Sequence, residues 1–185
     1  MRAANRRILI TLVLLAPVFA VAQRQQHDPL TSAQVEQIRE AGIDPVERVK
    51  LYTKFLDEHA NTLRGLTDRA KTPARAHRID DELQDFTSLM DELASNLDTY
   101  SDRKADIRKA LKPLNDAMPR WLGILHGLLG EPAFDLSRKE AIESGEDLAD
   151  QAKRMLDEQT EYFRIHKDEA GQDRYEPNPV AKPNQ

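Results

Sequence analysis

Five histidines, at positions 27, 59, 77, 126 and 166, are the side chains of this sequence best suited to metal chemistry, because a neutral imidazole readily ligates zinc or copper. His59, His126 and His166 fall on or near the apolar stripes of three different helical stretches, a placement from which they can converge on one ion. The competing reading makes each a hydrogen-bonded imidazole at the edge of a core. His77 and Asp81 stand four apart on one helix face, but two groups are too few for a structural metal site and suit a surface pair. A carboxylate-bridged di-metal bundle needs Glu-x-x-His pairs on its helices, and none occurs.

Carboxylates are plentiful, as in Asp57-Glu58, Asp80-Asp81-Glu82, Asp91-Glu92 and Asp157-Glu158. Glycoside hydrolysis sets two carboxyl groups across a carved cleft, usually beside aromatic sugar platforms, and only 5% of this chain is aromatic. Each acidic run sits between apolar seam positions, where solvated faces belong. Thr72 and Ser137 read as helix caps, and no Gly-x-Ser-x-Gly elbow or phosphate-binding glycine loop is present. Catalysis has no specific foothold, so the chain reads as non-enzymatic and no cofactor is implied.

One uncharged segment departs from the rest: Trp121-Leu122-Gly123-Ile124-Leu125-His126-Gly127-Leu128-Leu129-Gly130. Its Gly123-x-x-x-Gly127 spacing permits close backbone approach between helices. Two functional readings follow, an apolar surface for a partner or client built on Trp121, Leu122, Leu125, Leu128 and Leu129, or a lip touching membrane. The structural alternative is a short central helix buried on most sides. Ten residues are too few to cross a bilayer.

The elements that must position these groups read as helix after helix. Thr31 with Gln34 forms a capping box, and Gly42 stops a short first helix. Asp44-Pro45 and Thr72-Pro73 each place a capping side chain before a proline at the first helical position. The helix after Asp44 has an inward stripe of Val46, Val49, Tyr52, Leu56, His59, Leu63 and Leu66. Ile79, Leu83, Phe86, Met90, Leu93, Leu97 and Tyr100 then alternate spacings of four and three, a heptad seam. The same phase resumes at Ile107, Leu111, Leu114, Met118, Trp121, Leu125 and Leu128, so one rod can continue past Tyr100. Pro113 should bend or break it near Leu111, with a new start near Asn115 or Asp116. Ser137 and Glu140 read as a second capping box opening the last helix, whose seam is Leu148, Ala152, Met155, Gln159, Tyr162 and His166.

Arg2, Arg6 and Arg7, an apolar run from Ile8 to Leu15 and Ala20-Val21-Ala22 form a cleavable export signal over 1–22. A retained anchor is the competing reading, but Ile8 to Ala22 is shorter than the roughly 20 apolar residues of a spanning helix. Periplasmic or extracellular residence is implied. The absence of cysteine excludes a lipoprotein anchor and any disulfide. Taking the three leader arginines from 27 basic residues leaves 24 against 32 acidic, a formal charge of −8 that speaks against nucleic acid and anionic lipid.

The fold expected is all-α: an antiparallel bundle of three to four long helices, one kinked at Pro113, behind a short N-terminal helix. It occupies 23–170, and a disordered proline-rich tail fills 171–185. The heptad seam also suits a homodimer.

Leu30-Thr31-Ser32-Ala33-Gln34 is similar to the Leu-Thr-x-x-Gln motif of periplasmic helical stress proteins of the Spy and CpxP type, which act as chaperones or stress regulators without ATP. The stretch from Asp44 to Asp57, with Asp106-Ile107-Arg108-Lys109 and Asp135-Leu136-Ser137-Arg138-Lys139, resembles an uncharacterised group of exported all-helical bacterial proteins. That second resemblance implies no activity. The expected function is non-enzymatic binding of a protein partner or client in the cell envelope. The alternative is a metal or small-ligand carrier built on the inward histidines.

Overall fold

The structure, a computed structural model, describes residues 28–171, so the expected leader, His27 and the tail beyond Gly171 lie outside the described residues. Five helices form: α1 Ser32–Glu40, α2 Pro45–Thr67, α3 Pro73–Asp102, α4 Arg108–Gly127 and α5 Asp135–Ile165. The all-α expectation is met. No helix among the described residues is long and apolar enough to cross a membrane.

Local chemistry sets the first three starts. Thr31 Oγ1 accepts from the Gln34 amide at 3.3 Å while the Gln34 side chain accepts from the Thr31 amide at 2.8 Å, the reciprocal capping box. Gly42 ends this helix at φ +58°, a left-handed conformation in which a side chain would be strained. Asp44 caps α2 by accepting from the amides of Val46 and Glu47, and Thr72 caps α3 through the amide of Arg75. Pro45 and Pro73 follow where no intrahelical donor is needed.

Each of the four long helices packs on two others, and among the described residues the diagonal pairs meet through side chains and not through close backbone approach. Pairings along the chain fix the directions. Tyr52 with Glu92 and His59 with Glu82 make α2 and α3 antiparallel. Ile107 with Gln159 and Asn115 with Ala152 do the same for α4 and α5. Across the hairpins, Asp80 with Ser137 and Asp98 with Gln151 show α3 and α5 running parallel. The neighbours α2 and α4, joined by Asp57 and Trp121, run parallel too. The bundle is thus two antiparallel hairpins laid side by side, and the expectation of antiparallel neighbours throughout holds only within each hairpin.

The seam of α3 is buried from Ile79 to Tyr100, as its spacing requires. Phe86 meets Trp121 edge-on at 6.1 Å, a favourable aromatic geometry in the centre of the bundle. The stripe of α2 is wider than expected, since Phe55 and Ala60 are also buried while Val46 and His59 are only partly covered. In α5, Phe163 takes the buried place expected of Tyr162, and Ser137, Ala141 and Gly145 extend the covered face toward the N-terminus.

Two boundaries differ from the sequence expectation. The rod breaks at 103–107, not at Pro113: α3 ends at Asp102 and Lys104 adopts φ +53°. Continuing as one rod would carry the second apolar run away from the core, whereas the reversal lays it against α2 and α5. Buried Gln159 secures the turn, accepting from the Ile107 amide at 3.1 Å and donating to the Ala105 carbonyl at 2.9 Å. Helix α4 then runs unbroken through Pro113 and Pro119. Both rings are exposed, so the carbonyls left without donors lie on the solvent side, where water satisfies them. The second correction concerns Ser137. It is the third residue of α5, buried, and donates its hydroxyl to Asp80 instead of capping; Phe134 precedes the helix without a side-chain cap.

Replacing Gln159 by Leu strips two buried backbone groups of their partner. Urea unfolding is expected to show a loss of about 1–3 kcal/mol, and unchanged stability would show that the 103–107 turn does not depend on this amide.

Candidate functional site

Helix α4 presents its apolar side inward, and this divides the Trp121–Gly130 segment. Trp121, Leu125 and Leu128 belong to the core, with Trp121 1% exposed. The Trp121 indole N–H donates to Asp57 Oδ1 at 2.8 Å, and Arg120 pairs with the same carboxylate. Burial works to raise the Asp57 pKa, but these two donors outweigh it and hold the carboxyl below its usual range. Leu122 is half-buried, whereas Leu129 is 75% exposed. Of the five apolar residues expected to meet a partner, only Leu122 and Leu129 offer surface.

Gly123 and Gly127 face open space, so their spacing makes no helix contact within the chain. The close approach between α4 and α5 uses Gly145, which sequence inspection passed over. A β-carbon built there would lie 3.1 Å from Leu122 Cδ2 and 3.6 Å from the Met90 sulfur. The available signal was a lone glycine three residues before Leu148 in a long helix, a spacing that puts both on the same inward face.

The turn after α4 is held firmly. Leu128 and Phe134 are buried on either side of it. Glu131 between them pairs with Arg75 Nη1 at 3.1 Å and Lys71 Nζ at 3.6 Å, while Arg75 Nε donates to the Leu66 carbonyl at 2.9 Å. One buried guanidinium therefore joins the α2–α3 turn to the α4–α5 turn. From this anchored end Leu129 and Leu136, the latter 59% exposed, project into solvent.

The three histidines are not brought together. His59 lies between α2 and α3, its Nδ1 2.7 Å from Glu82 Oε1 and its Nε2 3.2 Å from the Pro29 carbonyl. His126 is exposed near the end of α4, with Nε2 3.3 Å from Glu146. His166 follows α5 at the opposite end of the bundle, stacked 4.2 Å from the Tyr162 ring. Among the described residues, the metal-ligand types that do approach one another within 4.8 Å are His77, Asp80 and Asp81 on the exposed side of α3. Asp80 already accepts from Ser137 and Gln84 there.

A cleft of about 1040 Å³ opens beside His59, bounded by the chain before α1, by α2 and by α3. Asp28, Glu58, Glu82 and Asp85 line it together with Thr31 and Thr62. The His59 ring faces an acceptor on each of its nitrogens. The acidic runs otherwise lie on solvated faces or bond neighbouring helices, as Asp91 does with Ser144.

Gly123→Ala tests the bare glycine face. With nothing near the added methyl, urea unfolding should show stabilisation of about 0.5–1 kcal/mol from helix propensity, whereas destabilisation would mean that this face packs against something. The chain matches no family model, no curated protein and no solved structure.

Proposed function

We propose that this is an exported, non-enzymatic helical bundle that binds a protein partner or client in the cell envelope through the end carrying the α4–α5 turn. The observation that supports this reading is two large apolar side chains exposed at one anchored end of the bundle, Leu129 in the α4–α5 turn and Leu136 in the first turn of α5. Exposed leucines on a loose loop carry little meaning. Here the flanking anchors are buried and Glu131 is gripped by two cations, so the ordering cost of presenting the leucines is met before a partner arrives. Burying each leucine side chain on association contributes roughly 1.5–3 kcal/mol. The half-buried Leu122 and bare Gly123 and Gly127 supply a neighbouring surface along α4.

Export rests on the leader-like sequence of 1–22, and the absence of catalysis on the lack of a recognisable reaction centre at the His59 cleft. Similarity of the Thr31–Gln34 segment to Spy and CpxP proteins is compatible with chaperone-like binding, although the same two residues fully serve as a helix cap.

A photo-crosslinking amino acid at position 129, irradiated in intact cells, should give an adduct of discrete mass that Leu136→Asp abolishes. No adduct, or one indifferent to Leu136→Asp, would remove this end from the binding reading. Sedimentation of the purified protein identifies the adduct as a second copy if a dimer appears and Leu129→Asp dissolves it.

A further inference from the structure

The segment 28–41, comprising the lead-in and α1, is the least firmly attached part of the described chain. Among the helices α1 touches α2 alone, and Ile38 is its one buried side chain. Beyond Ile38 only the partly covered Leu30 packs on the core, and two polar ties complete the attachment: Gln34 Nε2 donates to Glu58 Oε2 at 2.9 Å, and the Pro29 carbonyl faces His59 Nε2 at 3.2 Å. The other His59 nitrogen faces the Glu82 carboxylate at 2.7 Å. Both partners are acceptors. A neutral imidazole carries one N–H and satisfies only one of them, whereas imidazolium donates to both.

The surroundings favour the cation. Glu58 from α2, Glu82 and Asp85 from α3 and Asp28 from the lead-in line the cleft beside the ring, and among the described residues no lysine or arginine does. The His59 side chain is 13% exposed, so water is a poor substitute for either partner. Burial by itself lowers the pKa. The hydrogen bond and charge of Glu82, then the Pro29 carbonyl and Asp85, outweigh it and leave the pKa above the ordinary 6.5.

We propose that His59 is a proton-controlled latch: its imidazolium pins the Pro29 carbonyl, and with it α1, to the α2–α3 face, and loss of one proton releases that arm and widens the cleft beneath. The proton lost is the one on Nε2, because Nδ1–H stays with the Glu82 carboxylate. An Nε2 lone pair then faces the Pro29 carbonyl oxygen, and the contact becomes repulsive. A raised folded-state pKa stabilises the docked arm fully below the unfolded value, and this contribution is lost as pH rises through the folded value.

Hydrogen exchange of the full chain, corrected for the intrinsic pH dependence of exchange, tests the latch between pH 5 and 9. Protection of peptides covering 28–41 should fall with rising pH, by up to about tenfold per unit between the released-arm and docked-arm pKa values and levelling off above the latter, while the α3 seam stays protected. His59→Gln, which does not titrate, should give a poorly protected arm with no pH dependence. Arm protection in the wild type that ignores pH, or a His59→Gln variant with the wild-type slope, overturns the proposal. Nitrogen chemical shifts of the wild-type His59 ring give a check that needs no variant: both nitrogens protonated at pH 6 supports it, and a neutral ring at pH 6 sinks it.

Discussion

Burial of one apolar stripe per helix is the constraint from which the rest of this structure follows. Helices of 23, 30, 20 and 31 residues each carry such a stripe, and none can leave water alone. Packing each against two neighbours closes a core without cysteine, with Phe86 meeting Trp121 inside it. Several polar groups drawn into this arrangement are satisfied by neighbouring elements. Asp57 accepts a hydrogen bond from the indole N–H, Gln159 serves two backbone groups, and Arg75 bridges a carbonyl and a carboxylate.

Sequence patterns reveal what is encoded within a few residues. The caps at Thr31, Asp44 and Thr72 and the α3 seam are local, and each lies where spacing and capping chemistry place it. The break at 103–107 escaped notice because the apolar phase continues across it, and its stabilising partner Gln159 lies more than fifty residues away. Pro113 and Pro119 misled in the other direction, since the helix-breaking rule assumes that the lost donor matters, and on a solvated face it matters little. Ser137 shows how a capping signature fails: its hydroxyl finds Asp80 on another helix.

The candidate surfaces were less legible than the fold, for a related reason. An uncharged stretch announces apolar contact but not its side, and α4 turns Trp121, Leu125 and Leu128 inward while leaving Leu129 out. Histidines on three stripes invite a shared ion, yet their heights along the bundle decide the matter, and His126 and His166 stand at opposite ends. The two-acceptor environment of His59 draws on residues 23 and 30 positions away, which no local pattern reports.

The side-by-side hairpins give the 103–107 turn a special standing. Every antiparallel pairing is formed between helices adjacent in sequence, so each hairpin can assemble from local contacts before the two halves meet. The halves are linked only by this short diagonal crossing, where Lys104 holds a conformation unfavourable for a side chain. Straightening it into helix would relieve that backbone and send α4 outward as one rod with α3, carrying α5 with it. Two such chains could then exchange halves and rebuild the same core, which makes this crossing the natural hinge for domain swapping.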